Sequence, residues 1–431
     1  MAQLPQRAAV FALFGADAHA QPYIGRTPNL RGRLQRLLQP SAKHPRRLQL
    51  AGLVRRIEWK LTGSDFESLL LQFDLLQNVY GPKGLERMHL GAPSFVRFLG
   101  SNPYPRITVT NHPSQREADW AYGPFASRAA AERFAEEALK LFLLRRCTDD
   151  LNPHPSHPGC VYSEMKMCLA PCYKGCTDER YGEEATAVER FLATRGESRL
   201  VTLRTQRDEA SANLEFESAA AIHTLVQKVE SVRALAPELV RPLSQLRAVI
   251  LQASAEPDEV AVFLFQAGQL RGPVAFSTIG MRIQNEQSGS SSLFAQPMSV
   301  EAVPEEQGSA TPASTNRSLG APAGNREQGI ADKDQASEVR DQGSGARKLA
   351  RTMLESRLDA VLAELAAPQD SPSATVRQGH LALLKRWYYR PEAKRTGEIL
   401  FPDEEGHWPT RTILRGVGRI AAKSLTGAPA S

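Results

Sequence analysis

A chain of 431 residues, 42% of them hydrophobic, is long enough for two or three domains that each bury a core. No stretch approaches the roughly 20 apolar residues that span a bilayer, and the opening MAQLPQRAAVFALFG is too short in its apolar run for a signal peptide. These features argue against a membrane partner and predict a cytoplasmic protein. The formal charge of +6 is unevenly placed: Arg26, Arg31, Arg33, Arg36, Lys43, Arg46, Arg47, Arg55 and Arg56 lie between Asp17 and Glu58 with no acid among them. Such a surface favours a polyanion, because each neutralised phosphate releases condensed counterions.

Residues 8–14, AAVFALF, read as a strand, and Pro22 to Gly25 as a second, which predicts a hairpin. Thr27 and Pro28 predict a helix start, Thr as N-cap and Pro at the first helical position. Leu30, Leu34 and Leu37 then share one stripe, with Arg31 and Arg33 off it. RIEWKLT, 56–62, alternates as a strand does, and Ser64 opens a helix with Leu69, Leu70, Phe73, Leu75 and Leu76 on a broad apolar side. Glu67 completes the S-x-x-E of a capping box, a role that can coexist with metal binding. Further on, Gly123-Pro124 marks a turn, and Ser127 caps a helix carrying Ala131, Phe134, Ala138 and Leu141 on one side.

All five cysteines fall in one stretch, Cys147, Cys160, Cys168, Cys172 and Cys176. In a reducing compartment such clustering points to metal more than to disulfides. Four thiolates suit an iron–sulfur cluster or a tetrahedral zinc ion, and only the last spacing is the close couple usual for zinc. Cys176 is surplus, and His154 and His157 read as loop residues. Residues 184–236 predict amphipathic helix, and RAVILQA and VAVFLFQ within 246–280 predict two strands. Residues 284–345, rich in Ser, Gln, Gly, Ala and Glu, predict a disordered linker. A helix follows over 346–367. Trp387, Tyr388, Tyr389 and Arg390 then form either a small core or a surface that stacks on bases.

Three words in this order carry a resemblance. PYIG-R-x-x-N-L-x-x-R-L, then a strand, then E-S-L-L-L resembles the GIY-YIG nuclease domain at the N-terminus of UvrC, the incision subunit of bacterial nucleotide-excision repair. The spacing C-x12-C-x7-C-x3-C, ending in C-L-A-P-C, resembles the cysteine cluster of the same family. Asn213 to Ile222, NLEFESAAAI, resembles its UVR motif. The resemblance covers roughly residues 8–280 and implies a GIY-YIG-type domain over 1–95, a cysteine-bearing linker over 96–180, a UVR-like helical region over 181–240 and a short β region over 241–283; with the small helical, aromatic and basic region over 346–431 the whole chain reads as α+β. The second nuclease domain and the helix–hairpin–helix words of that family have no match.

Carried over residue by residue, the nuclease resemblance implies catalytic roles for Tyr23, Arg26 and Arg33, and places a divalent Mg2+ or Mn2+ ion on Glu67. The first-motif tyrosine, the general base, is Phe11 here and has no hydroxyl. Arg31, Arg36, Arg46 and Arg47 are the expected DNA contacts. The cysteine resemblance implies a [4Fe–4S] cluster on Cys147, Cys160, Cys168 and Cys172, with Zn2+ the alternative. The UVR resemblance implies a UvrB-like partner held by Leu214, Phe216 and Ala220. The expected function is a metal-dependent endonuclease making at most one incision in damaged duplex; the alternative is a DNA- and UvrB-binding adaptor that has lost its base.

Overall fold

The computed structural model describes residues 4–17, 19–39, 50, 52–148, 150–279, 281, 335–368 and 370–426. The fold is α+β, and the described residues form three antiparallel sheets. The first contains β1 (Ala9–Phe14), β2 (Tyr23–Thr27) and β3 (Arg56–Leu61) in the order β2-β1-β3, so the hairpin is present. Helix α1 (Leu30–Leu38) covers one face, burying Leu30, Leu34 and Leu37 against Ala9, Phe11 and Leu13. Its start differs from expectation. Asn29 is the N-cap, its side-chain oxygen accepting from the Gly32 N–H at 2.8 Å. Thr27 is committed to β2 opposite Ala9, and its hydroxyl bonds the Asn29 backbone instead. An amide side chain standing two residues nearer the first turn outcompetes it.

Helix α2 (Asp65–Tyr80) is capped by Ser64, as expected, and the short α3 (Lys83–Arg87) follows it. The second sheet has the order β5-β4-β6-β7, from β4 (Ser94–Phe98), β5 (Ile107–Thr110), β6 (Ala121–Phe125) and β7 (Arg241–Pro242), so Gly123-Pro124 lies within a strand and not in the expected turn. On it lies α4 (Arg128–Leu139), capped by Ser127, then the one-turn α5 (Val161–Glu164) and α6 (Asp178–Ala193). Helices α7 (Glu197–Ala212) and α8 (Phe216–Ala234) form a hairpin beyond. Phe98, Tyr122, Phe134, Tyr181, Phe191 and Val229 belong to the core of this unit.

The third sheet unites segments far apart in sequence. Strands β8 (Ala248–Ala253), β9 (Glu259–Gln266) and β10 (Gln269–Ser277) are joined by β11 (Glu398–Leu400) in the order β10-β9-β8-β11. Three helices accompany it: α9 (Gln335–Ala366), α10 (Ala374–Tyr388) and α11 (Thr410–Thr426). One face packs Val249, Leu251, Val262 and Leu264 against Leu358, Leu362, Ile413 and Val417. The other packs Ile250, Phe263 and Phe265 against Phe66 and Phe73 of α2 and Leu384 and Trp387 of α10. With both faces covered, β8 and β9 read as continuous apolar runs rather than alternating ones.

The cores therefore cut across the boundaries read from sequence. Residues 374–426 complete the sheet begun at 248, and α2 shares its main core with them. The linker expected over 284–345 lies outside the described residues as far as 334, and its last part, 335–345, is helix. Close approaches mark the junction. A Cβ on Gly63 would stand 2.1 Å from the Ser254 carbonyl carbon, and one on Gly379 would stand 2.3 Å from the Phe73 ring. Among the described residues no helix is long and apolar enough to cross a membrane.

Candidate functional site

Phe11 is completely buried, with its ring 6.1 Å from that of Tyr23 and its tip over Gly25. A Cβ at Gly25 would come within 2.9 Å of that ring, which is why the turn word needs glycine. Tyr23 accepts a hydrogen bond at its hydroxyl from Arg33 at 3.3 Å, so these two candidates meet on the α1 side. Arg26 stands three positions along β2 from Tyr23. Strand pleating sends side chains at odd spacing to opposite faces. Arg26 accordingly reaches the N-terminus of α2 and pairs with Asp65, which also binds Arg390 at 2.6 Å. The Asp65–Arg390 pairing had no signal in the sequence, since it joins positions hundreds of residues apart.

Glu67 occupies a third place. Its carboxylate, 6% exposed as a residue, accepts from the Gly63 N–H at 2.8 Å, while its own N–H bonds the Ser64 hydroxyl. Half of the capping box is therefore present: Ser64 caps the Glu67 N–H, but the Glu67 carboxylate takes the Gly63 N–H in place of that of the Ser64 cap. Burial pushes the Glu67 carboxyl above the ordinary carboxylate value, against the opposing Gly63 N–H and Lys60 charge. It lines a cleft of about 440 Å³ with Trp59, Lys60, Ser254 and Glu256, and none of Tyr23, Arg26 or Arg33 lines that cleft. Among the described residues no three His, Cys, Asp or Glu side chains are grouped to hold a metal ion.

Much of the N-terminal basic run is occupied internally. Arg31 donates to the Leu4 carbonyl, Arg36 to the Gly32 carbonyl, and Arg56 pairs with Glu58 at 3.0 Å. Arg46 and Arg47 lie outside the described residues.

The cysteines lie on the segment between α4 and α6. Cys160 precedes α5, whose first turn is tied by the Ser163 hydroxyl at 2.9 Å to the Cys160 N–H. Ala170 and Lys174 take left-handed backbone angles on either side of the turn that holds Cys172. Burial raises the Cys168 and Cys172 thiols, and each is raised further by the negative fields of Cys147 and Cys160. The four are electrostatic neighbours, and their donor chemistry fits a metal group that takes thiolates; their side chains do not form a closed ligand shell. Cys176 stands nearer Asp178 and Cys172. His154 and His157 accept from the Ser156 and Gly159 N–H groups and shape the loop, as expected of loop residues.

The tip of the α7–α8 hairpin has a different character. Leu214 is 73% exposed and Phe216 64%, and Ala220 is also exposed on α8. Val226, Val229 and Val232 turn inward instead, so the hairpin is anchored at its base and bare at its tip.

Comparison with known proteins places this architecture. Residues 95–191, from β4 to the end of α6, match the UvrC/Cho excinuclease middle domain. Over that segment the chain is similar to excinuclease subunits that carry this middle domain. The chain is UvrC-like across a wider span. It is 28% identical over 211 residues to UvrABC system protein C of Alcanivorax borkumensis, covering 49% of this chain and 34% of that protein. It is 27% identical over 277 residues to the Maricaulis maris protein of that name, covering 63% and 43%. The Pseudomonas fluorescens protein is 28% identical over 228 residues, covering 53% and 37%. The matches thus span about two-fifths of those curated relatives. No solved structure matches the chain.

Proposed function

We propose that the chain is a UvrC-like adaptor in nucleotide-excision repair, which binds DNA and a UvrB-like partner without cutting the strand. The observation that carries this reading is the dispersal of the candidate catalytic set. Phe11 offers no base, Tyr23 and Arg33 meet on one face of the first sheet, Arg26 is paired on the other, and Glu67 is engaged at a helix cap. Phosphodiester hydrolysis needs a base, a cation for the leaving oxygen and a metal carboxylate converging on one phosphate. The bare tip at Leu214, Phe216 and Ala220 supports the partner half of the reading, as aromatic anchors on a rigid helix make good hot spots.

A second reading rests on the Tyr23–Arg33 hydrogen bond. In it Tyr23 replaces the missing base and Glu67 holds Mg2+ or Mn2+, giving a single incision beside a lesion. One assay separates the two. The full chain is incubated with UvrA, UvrB, damaged duplex and magnesium, alongside Phe11→Tyr and Glu67→Ala variants. The adaptor reading expects retention on the UvrB–DNA complex with the duplex intact; incision by the wild type that Glu67→Ala abolishes would establish the nuclease.

Cys147, Cys160, Cys168 and Cys172 are the proposed holders of a [4Fe–4S] cluster, with zinc as the alternative. Either group, when bound, supplies a cross-link between the loop after α4 and the turn before α6. A visible absorption band in the purified protein that Cys168→Ala removes supports the cluster, whereas a colourless zinc-bearing protein rejects it.

A further inference from the structure

We propose that Arg195, Arg241 and Arg395 form a binding site for the phosphate backbone of a nucleic acid, at the junction between the middle unit and the third sheet. The inference rests on the DNA-binding half of the function proposed above. Three segments deliver the cations: Arg195 follows α6, Arg241 opens β7, and Arg395 ends the short turn after α10. Tyr388 is their common neighbour. Arg395 lies over its ring at 5.3 Å and donates to its carbonyl at 3.0 Å. Arg195 lines a small cavity with Ala236 and Val240, the residue directly before Arg241, and its charge acts on both Arg241 and the Tyr388 phenol. Among the described residues, Glu238 is the one carboxylate paired with any of the three, accepting from Arg241 at 3.3 Å.

Three guanidinium groups against one carboxylate leave an excess of positive charge in a half-buried place. The Arg195 Nε–H is buried and has no hydrogen-bond partner. Arg241 is stacked on Phe401 at 4.3 Å and fixed to the Glu238 carbonyl at 3.1 Å, so its fork is held in place before any ligand arrives. Its burial and the charge of Arg195 both disfavour its protonated form. Gathering like charges in partial isolation from water is costly, and an anion set among them recovers that cost. Planar guanidinium forks match the oxygens of a phosphodiester better than they match a point charge. The buried Arg195 Nε–H, which has no partner, is a donor that a phosphodiester oxygen can satisfy.

The test uses the full chain and fluorescein-labelled duplex DNA, with binding followed by anisotropy across a salt series. The double variant Arg195→Gln with Arg395→Gln leaves Arg241 intact, because that residue also packs on Phe401. Affinity is expected to fall about tenfold at low salt, and the slope of log K against log salt to decrease in size by about two. Arg195→Lys with Arg395→Lys keeps both charges and is expected to keep the slope. An unchanged slope in the glutamine pair overturns the site, as does an equal loss in both pairs, which would signify lost packing alone. Displacement of the duplex by polyglutamate as readily as by unlabelled DNA also overturns it, in favour of an acidic protein. Wild-type protein that fails to bind DNA would remove this inference together with the proposed function; binding that the substitutions leave untouched would remove this site alone.

Discussion

The tip of the α7–α8 hairpin and helix α10 invite comparison, because both show aromatic and aliphatic residues beside charges in the sequence. Their fates are opposite. Phe216 is 64% exposed, whereas Trp387 is 1% exposed, wedged against Phe66 and donating its indole N–H to the Thr396 carbonyl. Tyr389 is likewise committed, its hydroxyl bonded to the Pro124 carbonyl. The expectation that Trp387 to Arg390 could stack on bases gives way to the core alternative, and that core is shared with a helix of the N-terminal unit. The difference teaches that an aromatic residue becomes structural or adhesive according to which distant segment closes over it.

The comparison is broken most directly at Trp387. Trp387→Ala should lower unfolding stability by about 3–5 kcal/mol, read from the denaturant midpoint, because it empties a site at the meeting of α2, β9 and α10. A loss below about 1 kcal/mol would mean that α10 is an appendage.

A smaller effect is expected at the Glu398–Arg419 pair, which ties β11 to α11 through two hydrogen bonds at 2.7 and 2.6 Å. Arg419 holds the Glu398 carboxyl below the usual carboxylate range, outweighing its partial burial. With the folded value depressed, the contribution is present above the unfolded value near 4.3 and is lost as pH falls through the folded value. Glu398→Gln should therefore cost about 1 kcal/mol at neutral pH, with the gap from wild type closing on acidification. A gap that is constant with pH would show that charge plays no part.

The smallest stability effect is predicted at the hairpin tip. Phe216→Ala should change stability by less than about 0.5 kcal/mol, since the side chain is mostly in water already. The same substitution should weaken capture of UvrB measurably. A large loss of stability would move Phe216 from the adhesive class to the structural one.

Local elements were legible where a short-range rule decides them. The hairpin of the first sheet, the caps at Ser64 and Ser127, the Leu30–Leu34–Leu37 stripe and the strands at 248 and 259 all follow from spacing of two or of three to four residues. The N-cap at Asn29 was misread because Thr27 and Pro28 fit the same rule and only the register of β2 removes Thr27 from contention. Long-range closure had no such signal. Nothing in EIL, 398–400, announces a partner in β8, and nothing in α2 announces that Phe66 and Phe73 face away toward residues three hundred positions later. Among the candidate site residues, sequence order placed Tyr23 and Arg33 together but could not show that the strand pleat parts them from Arg26.

Gly63 and the helix it introduces have a practical consequence for dissecting the protein. Helix α2 keeps Phe66, Leu69, Leu70 and Phe73 dry chiefly by lending them to the third sheet and α10. A fragment ending near residue 240 would lay that stripe open to water, a contiguous patch of the kind that drives self-association. The N-terminal unit is thus a component rather than a module, and it is best studied with the tail that covers it.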